Sequence, residues 1–169
     1  MSERSLELAK QSMNGVSKYD YFIVGIGAAT FAYFAKGFKA NAVIGLNEST
    51  FVLFTLLLLA LSVISGLKKI ERYNTFLEKN GKYLDYSEYL AAYKKNAIEG
   101  EHSINEESGE ILKPEDSAIK AEALEQLLPK WKDTLEGLSK KICICSNVRD
   151  YTLFLSYALL AVSKVLPVL

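Results

Sequence analysis

The chain has one histidine, two cysteines and one tryptophan among its 169 residues. A single imidazole and two thiols leave out most metal and nucleophile chemistry that depends on clustered ligands. No Ser-His pair, paired carboxylates or phosphate-binding loop occurs, so the chain reads as a non-enzyme with no cofactor and no metal site. Charge of one sign is also missing: 20 Lys and Arg balance 20 Asp and Glu. With no basic excess to neutralise phosphates, a global argument for nucleic-acid binding fails. The length is that of one domain. No repeat, low-complexity linker or cleavable signal is evident, because about 20 residues of mixed charge precede the first apolar block and no small-residue cleavage site follows it.

The apolar half of the composition is gathered in three blocks. Between Asp20 and Lys36 lie 15 uncharged residues, Tyr21 to Ala35. They span about 22 Å as a helix, short of a ~30 Å hydrocarbon core unless Lys36 snorkels and Gly37-Phe38 extend the span. A buried core helix is the alternative. Ser49 to Leu67 gives 19 uncharged residues between Glu48 and Lys68, the length and composition of a spanning helix. Tyr151 to Leu169 forms the third block, with Lys164 and Pro167 near its end. It reads as a third span, with an interfacial helix or one packed on the soluble part as alternatives. The fold class is therefore an all-α integral membrane protein with two to three transmembrane helices and a small helical cytosolic domain.

Lys68, Lys69 and Arg72 follow the second block, and Lys140, Lys141 and Arg149 precede the third. Positive flanks stay in the cytoplasm, so the N-terminus and residues 68–149 belong inside and the 37–48 loop outside. Four segments result: an N-terminal amphipathic helix (1–18), a transmembrane hairpin (19–67), a cytosolic helical domain (68–149) and a C-terminal hydrophobic helix (150–169). In the first, Leu6, Ala9, Met13 and Val16 share a face, and Asn14-Gly15 weakens the helix.

The cytosolic segment is basic at both membrane-proximal ends and acidic between. Residues 68–82 carry five basic and two acidic side chains, residues 99–116 seven acidic and one basic, and residues 130–149 five basic and two acidic. Anionic headgroups favour that order. The second helix is expected to run to about Glu78 and end at Asn80-Gly81, with Asp85 capping another to about Ile98. A short hairpin fits Glu107-Ser108-Gly109. Pro114 suits a first helical turn, and Pro129 would bend or restart the helix.

Gly25 and Ala29 form a small-xxx-small pair, which serves either packing on the second span or self-assembly around an axis. The GIG at 25–27 is no nucleotide motif, since no strand precedes it. Thr30 is one of the few polar residues within the spans, and no Asp, Glu or His lies mid-span, which argues against proton relay. A weakly polar pore that gates by dewetting is compatible with that composition. Tyr86, Tyr89 and Tyr93 share a helical face beside Lys94 and Lys95. They read as a small core with hydroxyls at its rim, or as a stacking platform for single-stranded nucleic acid. His102 has no second ligand nearby, and Cys143 and Cys145 read as free thiols.

YDYFIVGIGAATFAYFAKG (19–37), followed by an apolar helix running into SGLKKIERYN (65–74), resembles small membrane effectors of bacterial antiphage defence. These include the two-span SLATT-type effectors and, more narrowly, the membrane effector of the Hailong system. The resemblance covers residues 1 to about 75, and the third block departs from a plain two-span pattern. It implies a homo-oligomeric, gated ion-conducting pore that depolarises the bacterial inner membrane. The partners it implies are the bilayer, further copies of the chain, and a nucleotidyltransferase whose nucleotide or DNA-oligomer product restrains the pore. Tyr86, Tyr89, Tyr93, Lys94 and Lys95 are the candidate ligand or gating residues, and Gly25, Ala29 and Thr30 the candidate packing or pore residues. The alternative function is a non-conducting structural or assembly subunit that anchors a partner to the membrane.

Overall fold

The computed structural model describes residues 3–39, 48–100, 103–104 and 111–165. The protein is almost entirely helical: α1 (Glu3–Gly37), α2 (Glu48–Glu99) and α3 (Pro114–Val165), with two short strands, β1 (Ser103–Ile104) and β2 (Ile111–Leu112), between α2 and α3. Among the described residues one helix, α2, is long and apolar enough to cross a membrane. His102, the turn at Glu107-Ser108-Gly109, Pro167 and the side chains of Leu6 and Ala9 lie outside the described residues.

The helices run through the breaks expected of them. α1 continues past Asn14-Gly15 and α2 past Asn80-Gly81 without interruption. Glycine inside a helix costs only about 0.5–1 kcal/mol, which side-chain contacts on either side outweigh. In α2 those contacts are to α3, described below. α2 ends instead at Gly100, whose φ of 68° is the left-handed conformation that closes a helix, and its amide donates to the Asn96 carbonyl at 3.1 Å. α3 opens on Pro114 with Glu115 and Asp116 in its first turn, where carboxylates complement the helix dipole. Pro129 lies inside α3 and does not end it.

The chain divides into two units, Met1–Arg72 with Lys141–Leu169, and Tyr73–Lys140. The first is a bundle of α1, the first part of α2 and the last part of α3. Its packing is inverted relative to a water-soluble protein. Thr55, Ser62, Ser156 and Ser163 are fully buried, together with Leu56, Leu59 and Leu160. The outer surface carries Phe22, Tyr33, Phe54, Leu57, Ile64, Tyr151 and Phe154, with Tyr33, Tyr151 and Phe154 each at least 75% exposed. Thr55, Ser156 and Ser163 bond to carbonyls of their own helices, at 2.9, 2.6 and 2.8 Å. Ser62 and Thr30 instead bridge helices, Ser62 donating to the Arg149 carbonyl at 2.9 Å and Thr30 sharing a bond of 3.1 Å with the Tyr157 hydroxyl.

The second unit pairs the later part of α2 with the earlier part of α3. β1 and β2 pair antiparallel, Ser103 opposite Leu112 and Ile104 opposite Ile111. Leu112, Ala121 and Leu135 are buried, and so is the Ser117 hydroxyl.

Candidate functional site

The most constrained polar site joins all three helices at one end of the bundle. Asp20 sits at the polar edge of the first apolar block, Lys69 just past the second and Arg149 just before the third. The fold brings these three edges together. Arg149 Nη1 donates to Asp20 Oδ1 at 2.5 Å, and Lys69 Nζ donates to the same oxygen at 2.6 Å. Arg149 Nε donates to Asp150 Oδ1 at 2.8 Å, and the guanidinium lies 5.9 Å from the Tyr19 ring centroid. Asp20 and Arg149 are each only 1% exposed. Burial works against the Arg149 cation, yet its hydrogen bonds to Asp150 and Asp20 prevail and hold it above the ordinary arginine range.

Close helix approach makes room for this cluster. A Cβ on Gly66 would overlap Val24 Cγ2 and come within 3.2 Å of Arg149 Cδ, so only glycine lets α2 pass there. Six residues further along α2, Arg72 Nη1 donates to Cys145 Sγ at 2.8 Å and to the Lys141 carbonyl at 3.4 Å. At the opposite end of the bundle, Lys164 pairs with Glu48 at 2.8 Å, but both side chains are exposed. Exposed pairs contribute about 0–1 kcal/mol, whereas stripping one partner from a buried pair costs about 3–5 kcal/mol. The Asp20–Lys69–Arg149 cluster is therefore the bundle's principal electrostatic lock. Chemically it is a cross-link: one oxygen of Asp20 accepts from both Arg149 and Lys69, and one oxygen of Asp150 accepts from Arg149.

The small-residue pair divides differently. Gly25 and Ala29 face outward, and a Cβ on Gly25 would meet nothing within 4 Å. Gly27 is the glycine that packs inside, where a Cβ would lie 3.2 Å from Val63 and 3.8 Å from Leu153. Within the chain, close packing thus uses Gly27 and Gly66, and Gly25 with Ala29 remains on the surface.

In the second unit, Tyr86 meets Trp131 edge-on, with centroids 5.8 Å apart, and Lys120 Nζ lies 5.7 Å from the Tyr93 ring centroid. Lys94 forms an ion pair with Glu125, and Lys95 one with Glu99 at 3.8 Å. Tyr89 is the exposed tyrosine of the three, at 44%. Tyr86 and Tyr93 thus lie in the α2–α3 seam, and the two lysines already have carboxylate neighbours. Among the described residues no group of three His, Cys, Asp or Glu side chains could hold a metal ion.

In the sequence Asp20 stands only as a block boundary, and Lys69 and Arg149 only as topology signals. The available sign was an acid at the same end of the apolar blocks as the basic flanks. No protein-family model, curated protein or solved structure matches this chain.

Proposed function

We propose that this chain is a membrane-embedded, self-assembling effector that conducts ions when its three-helix lock opens. The observation that carries the membrane half of this reading is the inverted packing of the first unit: hydroxyls and an ion cluster inside, aromatic and aliphatic side chains outside. A surface of that kind is costly in water and suited to lipid. The first and third blocks flank α2 as further spans, giving three in all. The membrane is the bacterial inner membrane, with the N-terminus and residues 68–149 in the cytoplasm.

The effector half draws on the resemblance to antiphage membrane effectors and on two features of the bundle. Gly25 and Ala29 on the outer face let a second copy approach closely, as homo-oligomerisation requires. The ion lock gives a closed state that a signal can favour or release. A ligand shifts such an equilibrium only by binding one state better than the other. The restraining signal is a nucleotide, an oligonucleotide made by a partner nucleotidyltransferase, or a protein. Its contact region is the second unit, around Tyr86, Tyr89, Tyr93, Lys94 and Lys95.

A voltage-sensitive dye in bacterial cells tests this reading after induction of the chain alone. Depolarisation that is abolished by Gly25→Leu and strengthened by Asp20→Asn supports the gated pore. An unchanged potential with Asp20→Asn protein present in the membrane rejects it.

A second reading, a non-conducting subunit that anchors a partner, is favoured by Ile98, Ile111 and Ile119. All three are more than two-thirds exposed in the second unit. Capture of a partner that is lost on Ile111→Asp and Ile119→Asp, without any depolarisation, would favour that reading.

A further inference from the structure

We infer that the bundle end opposite the ion lock binds the phosphodiester headgroup of an anionic phospholipid. This inference rests on the membrane reading above and adds a ligand to it.

An open cleft of about 1060 Å³ lies where α1 ends, α2 begins and α3 ends. Its lining includes Tyr33, Phe34, Lys36, Lys39, Glu48 and Lys164. The Ser49 hydroxyl donates to the Lys39 carbonyl at 2.9 Å, which ties the end of α1 to the start of α2 at the cleft wall. Of the four charged groups, Glu48 is committed to Lys164 at 2.8 Å. Among the described residues no carboxylate lies within ion-pair distance of Lys36 or Lys39. Residues 40–47, ANAVIGLN, contain no acid to supply one. Among the described residues, the cleft thus holds two ammonium groups without a carboxylate partner beside aromatic rings.

That combination selects an anion with an apolar body. Lysine stems lie along apolar surface while their ammonium groups reach the level of the headgroup phosphates. The phosphodiester would sit between Lys36 and Lys39, with its acyl chains along the outer face beside Tyr33. Inorganic phosphate would satisfy the lysines but leave the apolar wall unused.

The test is lipid retention by the full chain in nanodiscs, read by native mass spectrometry. Phosphatidylglycerol is compared with phosphatidylcholine, and inorganic phosphate is added as a competitor. Preferential retention of phosphatidylglycerol, undisturbed by inorganic phosphate, is expected. Each of Lys36→Gln and Lys39→Gln should lower that retention about fivefold, one lysine's worth of headgroup attraction. Glu48→Gln frees Lys164 and should raise it, a gain that loss of a merely structural contact would not give. Equal retention of the two lipids, displacement by inorganic phosphate, or no loss in the Lys36→Gln, Lys39→Gln double variant overturns the inference. Incorporation into nanodiscs without lipid preference overturns this inference alone. A chain that cannot be incorporated overturns the membrane reading with it.

Discussion

Asp20 accepts two cationic donors on one oxygen, and its nearest competitor for Arg149 is Asp150. Removing its charge leaves Arg149 buried against a neutral amide, so Asp20→Asn should cost about 3–5 kcal/mol of stability. Denaturant unfolding in detergent micelles measures this. The Asp20→Asn, Arg149→Gln double variant should be less destabilised than the two singles summed, by about 1–3 kcal/mol. Additive losses would show that the two side chains do not act as a pair. Lys69→Gln should cost less than Asp20→Asn, because Arg149 keeps Asp20 neutralised. None of this was legible from the residues one at a time. Asp20 and Arg149 stand 129 positions apart, and only the helix arrangement brings them within a hydrogen bond. What the sequence does hold is their shared place at the polar edge of an apolar block.

At the scale of the element, glycines separate close packing from empty space. Gly66→Ala drives a methyl into Val24, a β-branched side chain with little freedom to turn aside, and should destabilise by about 1–3 kcal/mol. Gly81 lies in α2 with nothing within 4 Å of an added Cβ. Gly81→Ala should therefore stabilise by about 0.5–1 kcal/mol through the helix alone. Thermal midpoints of the two variants in one detergent check the contrast, and a loss in Gly81→Ala would contradict the uninterrupted α2. Helix extents were only partly legible. Local signals at Asn14-Gly15, Asn80-Gly81 and Pro129 each favour an interruption, yet the helices continue. Tyr86 against Trp131 and Lys94 with Glu125 hold α2 to α3 beyond the glycine, and local propensity is weak against such contacts. Pro114 at the start of α3 was legible, because a missing amide there costs nothing. Gly25 and Gly27 differ by two positions and serve opposite faces, a distinction no spacing rule reveals without a partner helix in view.

For the whole molecule, hydropathy order carried the all-helical class and the spanning length of α2. The second apolar block has the length and composition of a spanning helix. The placement of residues 141–165 beside residues 3–39 and 48–72 depends on tertiary contacts that no single segment encodes. The inverted packing likewise emerges only when three helices are viewed together. Ser62, Ser156 and Ser163 are polar residues in apolar runs, and their burial beneath an aromatic surface appears only in the bundle. The most direct test of a three-span bundle is enzyme activity from alkaline phosphatase fused after Leu169 in bacterial cells, since that reporter folds only outside the cytoplasm. Three spans with a cytoplasmic N-terminus predict an active fusion. An inactive fusion that is present at normal levels would contradict the third span, and with it a lock placed at the cytoplasmic edge of three membrane helices.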